Sequence, residues 1–98
     1  MIIEQIGNAK LITSDNVRAI KTFDDDCIDL TVTSPPYDNL RAYNGFNWDF
    51  EALAKDLYRV TKPGGVVVWV VGDATIKGSE TGTSFRQALF FKDACGFN

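Results

Sequence analysis

The apolar residues of this 98-residue chain recur at two spacings, one typical of strands and one typical of helices. Short runs rich in β-branched residues predict three strands, and longer stretches with apolar residues every three or four positions predict three helices. The strands are expected at AKLIT (9–13), CIDLTVT (27–33) and VVVWVV (66–71). The helices are expected just after the first strand, over FEALAKDLYRVTK (50–62) and over TSFRQALFFKDAC (83–95).

The predicted helices carry recognisable start and stop signals. Ser14 or Asp15 can cap the first helix, and Trp48-Asp49 supplies an apolar contact and a cap for the second. Pro63-Gly64-Gly65 is expected to end the second helix, and Gly96 the third. The segment ATIKGSETG before the third helix is interpreted as a loop.

The alternation of strands and helices predicts an α/β fold with a parallel sheet. The continuous apolar run 66–71 favours a central strand that is covered on both faces. Right-handed crossovers place all strand-to-helix turns at one edge of such a sheet, where open α/β sheets bind their ligands. We therefore expect the turn after the second strand, 34–37, and Gly72-Asp73 after the third strand to face a common crevice.

Composition narrows the possible functions. The chain has no His, which excludes Ser-His-Asp, Cys-His and His-Glu-x-x-His chemistry, and its net charge of −3 gives no general attraction to nucleic acid. Cys27 and Cys95 are expected to be buried as small apolar residues. Asp24, Asp25 and Asp26 are interpreted as a solvated loop, with a metal cluster as the alternative. The chain has neither a signal peptide pattern nor an apolar run of membrane-spanning length, so we expect a soluble cytoplasmic protein.

The segment TVTSPPY places rigid hydrogen-bond acceptors at the end of a strand. Pro35 and Pro36 fix the backbone and remove two amide donors, which leaves the carbonyls of Ser34 and Pro35 available as acceptors. Ser34 adds a hydroxyl and Tyr37 adds a flat ring. This combination suits a planar nitrogenous base, with oxygens at its edge and the ring at its face. The alternative for Tyr37 is a partly buried core position, which is also the expectation for Trp69.

The segment DLTVTSPPY resembles the catalytic motif of DNA methyltransferases that modify the exocyclic amine of cytosine at N4 or of adenine at N6. The resemblance continues through KPGG, VVVWVVGDAT and FKDACGFN, and so covers nearly the whole chain. It implies a partial Rossmann-like three-layer sandwich with a short, mainly parallel sheet. It also implies S-adenosylmethionine as methyl donor and a target base flipped out of the DNA.

The resemblance assigns roles to individual residues. Ser34 and the carbonyl of Pro35 would accept hydrogen bonds from the target amine, in a turn fixed by Pro36, and Tyr37 would stack on the base. In this family, Ser at position 34 favours cytosine N4 over adenine N6. Arg41 and Tyr43 would contact the DNA, with a solvated loop as the alternative. Asp73 is a candidate cofactor-binding residue, with a turn or helix cap as the alternative.

The sequence also departs from the family. The Phe-x-Gly-x-Gly turn that holds the cofactor has no match in this chain. The chain is therefore interpreted as a single truncated catalytic domain, 1–98, equivalent to the amino-terminal half of a methyltransferase. Expected partners are DNA in the complete enzyme, the missing half or a chain that supplies it, and a second copy in a homo-oligomer. The alternative is an inactive remnant that self-associates as a structural module.

Overall fold

The computed structural model describes residues 1–35, 49–73 and 75–98, and these form a mixed α/β structure. The α/β class predicted from the sequence is confirmed. The elements in chain order are β1 (Ile2–Ile6), β2 (Ala9–Thr13), α1 (Asn16–Ile20), β3 (Ile28–Thr33), α2 (Phe50–Val60), β4 (Thr61–Trp69), β5 (Thr75–Ile76), β6 (Ser79–Glu80), α3 (Thr83–Leu89) and a π-helical continuation of α3 (Phe90–Cys95).

The predicted strand β2 pairs with a strand that was not predicted. β1 and β2 form an antiparallel hairpin in which Ile2 lies opposite Thr13 and Ile6 opposite Ala9. Gly7 in the connecting turn has a φ of +55°, a conformation that favours glycine. Within the described residues, the first predicted strand thus belongs to an antiparallel pair and not to the parallel sheet.

The parallel sheet predicted from the βαβ order is formed by β3 and β4. Thr31 pairs with Val67 and Thr33 with Trp69, after a shift of register between Ile28 and Leu30. The pairing extends to the ends of both strands, since the Val70 amide donates to the Thr33 carbonyl at 3.0 Å. Helix α2 connects the two strands, as expected for a crossover.

Helix α2 supplies most of the core. Its predicted cap is confirmed, because the Asp49 carboxylate accepts from the Ala52 amide at 3.1 Å. Buried side chains repeat along one face of the helix and pack with Ile20 of α1 and with Val67 and Trp69 of β4. These buried residues are Leu53, Ala54, Leu57 and Val60.

The end of α2 comes earlier than Pro63-Gly64-Gly65 predicted. The helix stops at Val60 and β4 begins at once at Thr61. The amides of Asp26 and Cys27 donate to the carbonyls of Arg59 and Val60, at 3.0 and 2.8 Å, and these bonds draw the chain into the sheet. A contact with a distant segment therefore overrides the local stop signal.

Arg59 joins α2 to the end of α1. Its guanidinium donates to the carbonyls of Phe23 at 2.7 Å and Ile20 at 3.0 Å, and it pairs with Asp25 at 2.9 Å. Asp56 accepts from Arg59 and from Lys21 of the α1 end, at 3.2 and 2.9 Å. Burial alone would raise the pKa of Asp56, but the hydrogen bonds from Lys21 and Arg59 outweigh it, so this pKa lies below its ordinary value.

One face of the β3–β4 sheet is exposed, which corrects the expectation of cover on both faces. Leu30 and Val66 lie side by side on this face, as do Val32 and Val68, and these four residues define what we call the open face. Their exposed fractions are 58% and 53% for the first pair and 66% and 40% for the second. The core residues of α1 and α2 pack with Val67 and Trp69, whose side chains lie on the opposite face of the sheet. The described residues therefore form two layers, and a three-layer sandwich is not confirmed for them.

The carboxyl-terminal helix follows a small hairpin in the segment interpreted as a loop. β5 and β6 pair antiparallel, with a turn at Lys77-Gly78. The end of the helical segment at Gly96 is confirmed, since this residue has a φ of +109° and donates its amide to Phe91. No helix in the described ranges is long and apolar enough to cross a membrane.

Both cysteines differ from the expectation of burial. Cys27 is exposed and Cys95 is half-buried. Burial raises the pKa of the Cys95 thiol, and nearby Lys55 only partly offsets this effect. Cys95 is therefore held further from the reactive thiolate form than an ordinary cysteine.

Candidate active site

Two of the segments predicted to form the site leave the same edge of the sheet. Ser34 and Pro35 follow β3, and the chain from Val70 to Asp73 follows β4, which runs parallel to it. The hydrogen bond from Val70 to Thr33 joins the strands at the point where both end. The structure therefore brings the start of the Ser-Pro-Pro-Tyr turn and Gly72-Asp73 to neighbouring strand ends.

The two described residues of the turn have opposite exposure. Ser34 is exposed, whereas Pro35 is buried directly beside it. A buried proline ring anchors the start of the turn, and the exposed serine is accessible from the sheet edge. Pro36, Tyr37, Arg41 and Tyr43 lie outside the described residues.

Asp73 holds the start of α3. Its two carboxylate oxygens accept from the amide and the hydroxyl of Ser84, at 2.8 and 2.9 Å. The residue at the helix cap itself, Gly82, has no side chain and adopts a left-handed conformation, so Asp73 replaces the missing cap from another segment. This geometry matches the helix-cap alternative for Asp73.

Ser84 was not singled out from the sequence, although one signal was present. Gly82 precedes the apolar spacing of α3 where Ser, Thr, Asp or Asn would be the usual cap. A helix that begins after glycine needs its first amides satisfied by another group, and a carboxylate in the preceding loop is one such group.

Trp69 is the last residue of β4, at the edge of the sheet where Ser34 lies. Its indole N–H donates to the Gln87 side chain at 3.0 Å, and Gln87 is buried in α3. The ring meets Phe50 of α2 and Phe91 edge to face, with centroids 5.7 and 5.1 Å apart. Trp69 is thus a core residue, as predicted, and it fixes the end of β4 to two helices.

The described residues do not form a site for S-adenosylmethionine by themselves. In the described ranges, no glycine-rich turn follows a strand at this edge, and Gly64-Gly65 lie within β4, three and four residues after its start at Thr61. Asp73 contributes a carboxylate here, but both of its oxygens are bonded to Ser84. The same ranges contain no group of three or more acidic or cysteine side chains placed to hold a metal ion.

Methyltransferases from several organisms are similar in sequence to this chain. Orphan methyltransferase M.BamHII of Bacillus amyloliquefaciens is 74% identical over 74 residues, which cover 74% of this chain and 28% of the relative. Type II methyltransferase M.PvuII of Proteus hauseri is 30% identical over 101 residues, which cover 93% of this chain and 30% of the relative. Type II beta methyltransferase M.BslI of a Bacillus species is 35% identical over 68% of this chain and 8% of the relative.

No family model and no solved structure matches the chain. The chain spans less than a third of the length of the curated relatives it matches. The identity with the Bacillus amyloliquefaciens protein is nevertheless too high over 74 residues to be coincidental. By sequence, this chain is therefore related to methyltransferases and corresponds to a segment of them.

Proposed function

We propose that this chain is the catalytic segment of a DNA methyltransferase. The complete enzyme would transfer a methyl group from S-adenosylmethionine to the exocyclic amine of a flipped base, with cytosine N4 favoured over adenine N6. Sequence similarity to named methyltransferases supports the general reaction. The position of Ser34 at the paired carboxyl ends of β3 and β4 is the observation that supports the site.

In this proposal, Ser34 and Pro35 prepare the amine for attack. The amine is a poor nucleophile because its lone pair is delocalised into the base. The Ser34 hydroxyl and the Pro35 carbonyl accept hydrogen bonds from its two hydrogens, and this stabilisation grows as positive charge develops on nitrogen. The exposure of Ser34 and the burial of Pro35 suit an accessible acceptor on a fixed backbone.

The remaining site residues have binding roles in the proposal. Pro36 keeps the turn rigid, Tyr37 stacks on the flipped base, and Arg41 and Tyr43 contact the DNA. Asp73 is proposed to line the cofactor side of the crevice, with its carboxylate oriented by Ser84. The cofactor itself requires a glycine-rich segment from another part of the protein or from a partner chain, so the chain alone is expected to bind it weakly or not at all.

A chimaera tests this function directly. The segment of M.BamHII that matches this chain is replaced by the sequence of this chain, and methylated nucleosides are quantified after digestion of the DNA substrate. We expect N4-methylcytosine. Ser34→Ala should lower the rate by about 10²-fold, because one group that stabilises developing charge is lost.

Ser79→Ala, at an exposed serine in β6, is the matched control and should leave the rate unchanged. A chimaera that binds S-adenosylmethionine but gives no methylated nucleoside would contradict the proposal. If the product were N6-methyladenine, the proposed methyl transfer would be supported, but the choice of cytosine as the target base would be wrong.

A second candidate function is an inactive, self-associating module. The exposed open face favours it, together with the incomplete cofactor site in the described residues. A chimaera with no activity at all, combined with a stable oligomer of the chain itself, would favour this alternative.

A further inference from the structure

The segment that joins β4 to α3 is fastened at both of its ends. Trp69, at the end of β4, donates to Gln87 at 3.0 Å, and Asp73 accepts from Ser84 at 2.8 and 2.9 Å. Ser84 and Gln87 are three residues apart, so they are neighbours on one face of α3. The two contacts hold the start of α3 against the end of β4. The β5–β6 hairpin between them therefore leaves the same edge of the sheet as Ser34.

The tip of this hairpin carries a cation in an unfavourable backbone conformation. β5 and β6 have two residues each, and the turn residues Lys77 and Gly78 have φ values of +52° and +77°. Two-residue hairpin turns with positive φ at both positions favour Asn-Gly, and a lysine at the first position costs about 1 kcal/mol. The strain that asparagine would relieve indicates that Lys77 has a role outside the turn itself.

Arg86 places a second cation at the base of the hairpin. Its guanidinium donates to the Thr83 hydroxyl at 3.2 Å, and it lies 3.6 Å from the position that a Cβ on Gly82 would take. A guanidinium has five N–H donors, so this bond leaves others available. Gly82 is five residues after Lys77, so the backbone at the tip and at the base is at most about 18 Å apart. In the described ranges, neither cation belongs to a salt bridge.

We propose that Lys77 and Arg86 each bind a phosphate of the DNA backbone near the target base. This inference rests on the proposed function. The net charge of −3 gives no general attraction to DNA, so binding requires local cations such as these. Phosphates of one strand follow each other every ~3.4 Å along the duplex axis, so 18 Å corresponds to about five nucleotides. The other side chains of the hairpin, Ser79 among them, are assigned no contact.

The two fastened ends suit this role. A loop that is already held by the Trp69–Gln87 and Asp73–Ser84 contacts loses little conformational freedom when it binds a ligand. The two cations are therefore held near the edge that Ser34 leaves before DNA arrives, and phosphate contacts of this kind fix the position of a protein on the duplex without reading its sequence.

Binding of duplex DNA to the chimaera with M.BamHII tests the proposal without requiring catalysis. Fluorescence anisotropy of a labelled duplex gives Kd at several salt concentrations. Lys77→Asn and Arg86→Gln should each raise Kd by roughly 3- to 10-fold and reduce the slope of log K against log salt by about 0.9, the value for one phosphate contact. Because asparagine favours the turn, Lys77→Asn removes the charge without loosening the hairpin.

Two further variants control for charge. Lys62→Gln removes one positive charge at the second residue of β4, at the opposite end of the strand from Trp69, and should leave the salt slope unchanged. Glu80→Gln removes a negative charge from the hairpin itself and should lower Kd, because a carboxylate near the phosphates repels them. In methylation assays of the Lys77 and Arg86 variants, KM for DNA should rise, while kcat and KM for S-adenosylmethionine stay unchanged.

The possible failures are distinguishable. A chimaera that methylates DNA, but whose Kd and salt slope neither Lys77→Asn nor Arg86→Gln changes, would refute the phosphate contacts and leave the proposed function standing. A chimaera that binds DNA through these two residues but yields no methylated nucleoside would refute the proposed reaction alone. A chimaera that does not bind DNA, or variants that raise KM for S-adenosylmethionine instead of KM for DNA, would overturn the inference as well.

Discussion

Asp73 offers the sharpest test of how the candidate site is held together. Replacing it with alanine removes both acceptors of the Ser84 amide and hydroxyl, at 2.8 and 2.9 Å. Replacing Ser84 with alanine removes only the hydroxyl bond, since the backbone amide remains. Asp73→Ala therefore removes both hydrogen bonds between the two residues, and Ser84→Ala removes one of them.

The structure sets the expected size of each effect. Loss of a helix cap costs about 0.5–2 kcal/mol, and a second charge-assisted hydrogen bond is lost with it, so we expect about 2 kcal/mol for Asp73→Ala. Ser84→Ala should cost about 1 kcal/mol. In the Asp73→Ala background, Ser84→Ala should cost almost nothing, because its partner is already absent. For a domain of this size, the Asp73→Ala loss corresponds to a fall in Tm of about 8–16 °C.

Urea unfolding followed by circular dichroism, at one fixed protein concentration, measures these free energies. Asp24→Ala, at an exposed residue of the 24–26 loop, is the control and should change stability by less than about 0.5 kcal/mol. Additive costs for Asp73→Ala and Ser84→Ala would refute the cap. So would an Asp73→Ala variant that keeps wild-type stability.

Three further predictions concern the core and the strand connection. Leu57 is only 4% exposed, so Leu57→Ala should lower the free energy of unfolding by about 2–5 kcal/mol, whereas Leu11→Ala, at a residue that is 49% exposed, should lower it far less in the same urea unfolding experiment. The pKa of Asp56 is lowered in the folded state, so ionised Asp56 contributes its full stabilisation at pH values above the ordinary aspartate pKa. This contribution is lost as the pH falls through the pKa of Asp56 in the folded protein. Asp56→Asn should therefore make the free energy of unfolding less dependent on pH in this acidic range. Gly65→Ala should prevent normal folding, as judged by circular dichroism, because the added methyl would lie 2.7 Å from Thr61 and 2.9 Å from a backbone oxygen.

Local signals in the sequence were sufficient for the elements around the core. The cap at Asp49 and the apolar spacing after it predicted α2, and the β-branched run before Ser34 predicted β3. The β1–β2 hairpin was missed although Gly7-Asn8 is a turn signal, because the apolar residues before it do not alternate strictly. Secondary structure was therefore predictable wherever local pattern and tertiary packing agreed.

Long-range contacts account for what the sequence did not reveal. The end of α2 depends on amides donated from the 26–27 segment, and the cap of α3 depends on a carboxylate eleven positions away. The exposure of the open face depends on which elements are present to cover it, which a strand's own residues do not encode. For the candidate site, the sequence predicted that Ser34 and Asp73 leave the same edge, but not the bond that fixes Asp73.

The position of Trp69 gives the chain a built-in optical probe. Its indole donates a hydrogen bond to Gln87 and packs on two aromatic rings. The next residue, Val70, donates its amide to the carbonyl of Thr33, which directly precedes Ser34. With only two tryptophans in the chain, Trp48→Phe would leave Trp69 as the single tryptophan, which can be excited selectively over the tyrosines. Any rearrangement of this sheet edge, on binding a base or a partner, would then change one indole's emission, so occupancy can be followed by fluorescence without a label.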